Sequence, residues 1–485
     1  MKLICISLLL FIWVSPMWTT PCKTVVRIKK QAMEYACQTQ RRPLQKAFGI
    51  IPIPELHEKK SSGGGILGNI LNNGGLIGAG QKLLGNVVNL VGIKILEVNL
   101  PELNVKLVPN IGVQVSVDTN LHISGNLVIV GGIELKVGAG VLADVRVSKT
   151  KGGFPILAVT ACKSILGDID ITVGGFGLLR PIVRAIQGHI HAILGERLCV
   201  SVSNVFLGLN ADLGLMAGIT PISEDMGLQY IVENPPVVTD DYMDMEMNAE
   251  YSVNEQVIEL PTGDQEFTLP PGAGSQDSMV NMGFSQDFFI SLFIAFQNSG
   301  GFNLNIPSTY ASLENHLSTS ALGSLIPEIS RKYPQSLPVK IKIVLSKTPI
   351  VSFQSNQLIV QITPSVEMAV VLPNSKCQHL LTVNVGATLL ASLDVKGGKM
   401  KTSVALTGDL NLAFVSVSYG QSKCNPSMLS GYLRTLFVKA YLLQINEALS
   451  IGVSLPSLPN VQLIHQVIDV KENYAIMSCD LQYIN

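Results

Sequence analysis

The stretch DVRVSKTKGGFPILAVTACKSILGDIDITVGGFGLLRPIVRAIQGHIHAILGERLC, residues 144–199, decides the fold. It reads as a strand entering the turn Lys151-Gly152-Gly153, a second strand through Cys162, and a helix that Pro181 opens and that closes near Cys199. The outline returns: Asp394-Val395-Lys396-Gly397-Gly398 repeats the turn 245 residues on, and Pro426 follows Gly397 by 29 residues, as Pro181 follows Gly152. Two turn-to-helix units at one offset mark a duplicated object.

Outward from that stretch the pattern is consistent. Val113, Val115 and Val117 alternate with Gln114, Ser116 and Asp118, and Leu121, Ile123, Ile133, Leu135 and Val137 continue a period near two. Such runs are antiparallel strands with one apolar face, which must be buried against something. The predicted helix 178–198 supplies the cover, because Leu179, Ile182, Ile186, Ile190, Ile193 and Leu194 recur at helical spacing. The unit is a long helix against a strongly curved antiparallel sheet.

The second half repeats the plan. Residues 288–296 and 313–333 read as helices, 339–371 and 383–417 as strands, and Asn425-Pro426 starts a helix whose predicted apolar face is Leu429, Leu433, Leu436, Leu443 and Leu449. The chain ends in strands 461–470 and 474–483. Near the start, Val25-Val26-Arg27-Ile28 reads as a short strand, and 31–48 as helical until Pro43 interrupts.

At 485 residues the chain exceeds one ordinary core, so two domains are expected. Charged residues are only 14% and apolar ones 47%, against about 25% charged in a typical domain. Outside the N-terminus no run of about 18 unbroken apolar residues accounts for that excess as a membrane span. Lys2 followed by the apolar run 3–14 and small residues at Thr19 and Thr20 reads as a signal peptide, residues 1–20. Secretion puts Cys22, Cys37, Cys162, Cys199, Cys377, Cys424 and Cys479 in an oxidising compartment. Seven is odd, so at least one is free or pairs between chains.

Net charge is −1, but no Lys or Arg lies between Arg197 and Arg331, where 17 carboxylates sit; the rest of the chain carries a surplus of +16. Residues 235–285, acidic, Met-rich and punctuated by Pro270-Pro271-Gly272, read as a connector between an N-terminal domain, 21–234, and a C-terminal one, 286–485.

Chemistry was sought and declined. Gly63-x-Gly65-x-x-Gly68 and Gly138-x-Gly140-x-x-Ala143 match a dinucleotide fingerprint by letter but lack its strand-turn-helix context. No Gly-x-Ser-x-Gly elbow, phosphate-binding loop or His-Glu-x-x-His occurs. His189 and His191, two apart on a helix, point to different faces and make a poor metal pair. No catalytic residue, metal, cofactor or nucleic-acid partner is expected.

Several short matches, in order along nearly the whole chain, resemble bactericidal/permeability-increasing protein and its relatives. They include Val25-Val26-Arg27-Ile28 with Tyr35-Ala36, Val108-Pro109-Asn110-Ile111-Gly112-Val113 and His122-Ile123-Ser124-Gly125. Asn234-Pro235-Pro236, Glu250-Tyr251-Ser252, Val371-Leu372-Pro373-Asn374-Ser375 and the end from Val461 to Tyr483 continue the series. The chain is similar to the long PLUNC proteins, BPI-fold family B. That resemblance implies an α+β fold: an elongated boomerang of two pseudo-symmetric barrels, each a highly curved antiparallel sheet with long helices, joined by a central antiparallel sheet to which the connector 235–285 gives strands.

The resemblance also implies an apolar pocket in each half, with Met33, Ile182, Ile186, Ile190, Leu429, Leu433 and Leu436 as lining candidates. The family's disulfide falls on Cys162 and Cys199; a pairing of Cys377 with Cys424 follows by analogy. The hairpin turns would form barrel tips, where Arg146, Lys149, Lys151, Lys396, Lys399 and Lys401 could meet head groups. The basic tip of the bactericidal relatives is reduced here, which speaks against endotoxin killing.

The expected function is a secreted, non-enzymatic protein of mucosal or olfactory innate defence that binds phospholipid or another hydrophobic ligand, with peripheral membrane contact. The alternative is a surface-active or protein-interaction role in the secretory pathway, partly retained in its lumen, with the Gly/Leu-rich segment 66–96 at an interface and the pockets vestigial.

Overall fold

Alternation of apolar and polar residues gives the long strands their two faces. Along Gly112–Leu127 the side chains of Val113, Val115, Val117, Leu121 and Ile123 are buried and their neighbours face outward. Gly131–Lys149 does the same from Ile133 to Val147. The structure, a computed structural model, describes residues 23–57, 89–128, 130–173, 180–215, 218–258, 267–354, 356–418, 426–457 and 460–484. The expected signal peptide, Cys22, most of the Gly/Leu-rich segment and Cys424 lie outside the described residues.

The described strands form three sheets. In the N-terminal one Gly112–Leu127 pairs on one edge with Leu103–Val108 and Asn89–Asn99, and on the other with Gly131–Lys149, which pairs in turn with Pro155–Val173. In the C-terminal one Cys377–Lys396 pairs with Gln357–Ile362 and Ser365–Val371 on one edge and with Lys399–Val417 on the other. Gly112 and Gln357, Gly131 and Cys377, Pro155 and Lys399, and Arg180 and Pro426 open corresponding elements, each pair roughly 245 residues apart. The two halves are therefore the same object twice. They differ where Thr363-Pro364 divides a strand that is continuous in the first half, since proline removes a ladder donor.

The central sheet joins them. Its order is Val461–Val470, Tyr474–Tyr483, Val280–Ser285, Thr24–Lys29, Tyr242–Val253, Met226–Val232, Thr220–Pro221, with Val237–Val238 and Gln256–Val257 also on Tyr242–Val253. The first described strand thus lies between two strands of the acidic connector, and the last described strand lies beside the second of these. Arg27, 2% exposed, pins the arrangement: its guanidinium pairs with both Asp244 oxygens at 2.8 Å, donates to the Leu269 and Pro270 carbonyls, and lies 3.9 Å over the Tyr242 ring. A charge buried this deeply is tolerated only because every face of it is paired.

The helices depart from expectation in four places. Residues 31–48 break at Gln40 and not at Pro43, which lies in the first turn of the helix Arg41–Gly49, where no intrahelical amide bond is lost. The main helix does not close near Cys199 but runs Arg180–Leu215, through the β-branched and polar residues Val200 to Asn204, which are weak helix formers overridden by packing. Residues 313–333 form a 3-10 turn Ala311–His316 and two short helices, Thr319–Gly323 and Pro327–Lys332, in place of continuous helix. In the C-terminal half the helix Pro426–Leu436 passes through a π turn, Phe437–Tyr441, into Leu442–Ser450.

That turn corrects one face assignment. A π turn adds a residue to the helical period, so Phe437, Tyr441, Ile445 and Leu449 face inward with Leu429 and Leu433, while Leu443 is 58% exposed.

Candidate functional site

The edge of Pro155–Val173 away from Gly131–Lys149 pairs with no described strand. The long helix takes that place. Gln187 donates to the Ile169 carbonyl (3.1 Å), His191 Nε2 lies 3.1 Å from the Gly167 carbonyl, and the Gly195 carbonyl accepts from Ser164 (2.6 Å). Cys199 is disulfide-bonded to Cys162. Four residues separate each helix position from the next, so Gln187, His191, Gly195 and Cys199 form one stripe running antiparallel to the strand. Further on, Asn210 bonds both the amide and the carbonyl of Leu157 at 2.7 and 2.8 Å.

A neighbouring stripe of the same helix faces inward. Ile182, Ile186, Ile190, Leu194, Leu198 and Val202 are buried, Ile186 and Ile190 completely, and belong to one apolar core with the sheet. Met33, on Lys30–Thr39, is half-buried and packs against that core. In the C-terminal half Leu429, Leu433 and Leu436 are at most 2% exposed. The lining candidates are thus gathered, half by half, on the inner faces of the helices, and in the described residues they touch protein. The core continues between the halves through a ring cluster: Tyr251 and Phe284 both meet Phe288, which meets Phe289, which meets Phe353, with centroids 4.9–6.0 Å apart.

Few polar atoms interrupt this interior. Thr119 Oγ1, Tyr251 Oη and Tyr441 Oη are buried without a hydrogen-bond partner among the described residues. Burial holds the Tyr251 and Tyr441 phenols well above their ordinary pKa, so both are neutral donors. Tyr441 sits in the π turn, a feature often found at functional positions.

The basic candidates are not tip residues. Val232 N–H donates to the Gly153 carbonyl at 2.7 Å, and Lys149 Nζ donates to the Glu233 carbonyl. Gly153 has φ +77°, and a Cβ there would stand 2.1 Å from Ile231. The first hairpin is therefore seated on the central sheet. The second hairpin turns through Gly397 and Gly398, both with positive φ as a two-residue turn requires, and Leu455 N–H donates to Gly398 O. The neighbouring Ser454 accepts from Tyr230 of the central sheet. Arg146, Lys149, Lys151 and Lys396 are exposed and Lys399 and Lys401 half-exposed, but the hairpins carrying them point to the middle of the molecule. Sequence alone could not say which end of each hairpin meets the centre.

Cys377 is an exposed free cysteine, and its assigned partner Cys424 lies outside the described residues. Cys37 and Cys479 are also free thiols, pushed up by burial to about 11 and about 12. His189 reaches the Pro54 carbonyl at 2.7 Å, and no group of three potential metal ligands occurs among the described residues. The stripe bonding the helix to the strand edge escaped sequence reading; only the four-residue spacing of Gln187, His191, Gly195 and Cys199 could have signalled it.

Two family patterns match the chain: LBP / BPI / CETP family, N-terminal domain, over residues 32–211, and LBP / BPI / CETP family, C-terminal domain, over residues 220–483. Over 460 residues the chain is 29% identical to BPI fold-containing family B member 2 of Homo sapiens, covering 95% of this chain and 94% of that protein. It is 27% identical to BPI fold-containing family B member 3 of Rattus norvegicus, covering 86% and 90%. The crystal structure of lipopolysaccharide binding protein superposes with a TM-score of 0.61 at 18% identity, covering 96% of this chain and all of that one, which shows a shared fold.

Proposed function

Since the chain belongs to the LBP/BPI/CETP family, among its BPI-fold B members, we propose that it is a secreted, non-enzymatic lipid-binding protein of mucosal or olfactory innate defence. Each half takes acyl chains of a phospholipid or other hydrophobic ligand between helix and sheet. The single observation carrying this is the inward helical stripe, Ile182 to Val202 and Leu429 to Leu449, opposed to an apolar sheet face in both halves. Each methylene moved from water into such a site contributes about 0.8 kcal/mol. Thr119 and Tyr441 add one unpaired hydroxyl to each interior, and a ligand carbonyl or hydroxyl would satisfy it. The division into 21–234, 235–285 and 286–485 belongs to the same proposal.

The alternative, a surface-active role, has one observation in its favour. Residues Ile182–Ala211 are long and apolar enough to cross a membrane, yet only 22% of their most apolar window is buried, with Leu207 64% exposed. Its disulfide and hydrogen bonds to Pro155–Val173 make it a domain helix rather than a span. Native mass spectrometry of protein from secretory cells, with lipid extraction and uptake of a fluorescent fatty acid, separates the two readings. Bound lipid or saturable uptake supports the carrier. An empty protein that takes up nothing but lowers surface tension supports the alternative.

A further inference from the structure

From Arg331 to Lys401 the sequence carries nine Lys and Arg against two carboxylates, Glu367 and Asp394. This stretch holds most strands of the C-terminal sheet, in a chain whose net charge is −1. Three of the nine, Lys396, Lys399 and Lys401, belong to the hairpin at the inner end. The other six lie elsewhere. Lys340 and Lys342 alternate with buried Val339, Ile341 and Ile343 on Val339–Val344, so both stand on the outer wall. Exposed Lys376 lies in the turn before Cys377, at the end of Cys377–Lys396 opposite the inner hairpin.

On this wall a groove of about 570 Å³ is lined by Asn305, Ile306, Pro307, Lys340, Lys342 and Glu367, among others. One side is the short edge strand Leu304–Ile306, where Asn305 is the cross-strand partner of Lys342; the other is Ser365–Val371, where Glu367 is. The two ammonium groups spring from positions about 6.7 Å apart along the strand, on one face. Neither makes an ion pair with a described residue. No large apolar side chain described between residues 302 and 349 is exposed.

We propose that this groove binds a hydrophilic polyanion, a sulfated glycan chain. Lys340 and Lys342 bind successive anionic groups and Asn305 offers a neutral amide. Apart from Pro307 the apolar residues lining the groove are not exposed, Ile306 and Ile341 being buried, and charge with so little apolar surface disfavours a bilayer, into which a peripheral protein inserts apolar groups beside its cations. A recessed groove also suits a chain better than a flat surface. Glu367 weakens binding by opposing Lys342, and its presence sets a sign for the test. The proposal is independent of lipid binding in the interior.

The test is titration of the full chain with a fluorescent sulfated oligosaccharide, against vesicles containing phosphatidylserine. Lys340→Ser with Lys342→Ser should weaken oligosaccharide binding about tenfold, and Glu367→Gln should strengthen it about threefold, as expected of a few exposed charge contacts. Lys396→Ser with Lys399→Ser, which removes the same charge at the inner hairpin, should change affinity less than about twofold, because screening confines each charge to within roughly 10 Å. The proposal is overturned if the wild-type chain does not bind the oligosaccharide or if both lysine pairs matter equally. It is also overturned if Glu367→Gln weakens binding, or if the groove lysines govern vesicle binding and not oligosaccharide binding. Circular dichroism of each variant confirms that a loss is not unfolding.

Discussion

Asn210 holds Leu157 by both of its backbone polar groups: the side-chain oxygen accepts from Leu157 N–H at 2.7 Å and the side-chain amide donates to Leu157 O at 2.8 Å. Asn446 and Val404 repeat the clamp in the other half, at 2.7 and 3.0 Å. A primary amide is the one side chain that presents donor and acceptor as a neighbouring strand would. Each clamp closes an open stretch of sheet edge with a helix: Pro155–Val173 pairs with no described strand on that side, and Lys399–Val417 pairs there only through Lys399 and Met400.

Asn210→Asp keeps shape but replaces the donor with a second acceptor facing Leu157 O. Loss of the bond and the new repulsion should cost about 1–3 kcal/mol in urea unfolding, and Asn446→Asp should behave alike. Unchanged stability for both would mean that the helices close the sheets without the clamps.

Legibility in the sequence followed the range of the interactions. Strands with one buried face announce themselves locally: the last two, Val461–Val470 and Tyr474–Tyr483, agree with the residues read from alternation. The central sheet was legible only through the family resemblance and not from local pattern, because Thr24 pairs with Met247 and Phe284, residues that no periodicity connects. The second half of the main helix was missed because Val200-Ser201-Val202-Ser203-Asn204 has poor propensity, and distant contacts such as Asn210 with Leu157 hold it. The inward helical stripes were legible, but the end each hairpin presents to the centre rests on contacts such as Gly153 against Ile231.

The π turn makes a prediction against the helical wheel. An unbroken helix would count Leu443 inward, whereas Leu442 is 7% and Leu443 58% exposed. Leu442→Ala should cost about 2–4 kcal/mol, as for a buried leucine, and Leu443→Ala less than about 0.5. Thermal and urea unfolding of the pair would decide it. The reverse ranking would remove the π turn from the native helix.

Tyr441 carries a fully buried hydroxyl without a partner. Tyr441→Phe removes an unsatisfied polar group at constant shape, so the ligand-free protein should be unchanged or up to about 1 kcal/mol more stable. If the hydroxyl serves a ligand oxygen, the same variant should retain fatty-acid uptake less tightly. A destabilised variant would show that the hydroxyl has a partner in the native state.

Lys23 supplies the pH dependence. It is 8% exposed, its ammonium lies 3.4 Å from the Ala249 carbonyl, and burial lowers its pKa from 10.5 to about 8, with Glu250, Asp287 and Glu233 opposing the shift. Between pH 8 and 10.5 the unfolded chain holds more of this proton than the folded one, so the contribution of Lys23 to stability rises with pH across that window and is flat below it. Other groups titrate there with the opposite sign, since buried Cys37 and Cys479 hold their protons in the fold. The comparison must therefore be a difference. Lys23→Met should be more stable than wild type by about 1–3 kcal/mol at pH 7, because the cost of burying the charge is gone. The advantage should shrink as pH approaches 10, where the wild-type lysine is neutral in the fold. Urea unfolding of both proteins at pH 7, 8, 9 and 10 measures it, and a difference that does not change with pH would mean that Lys23 keeps its ordinary pKa in the folded chain.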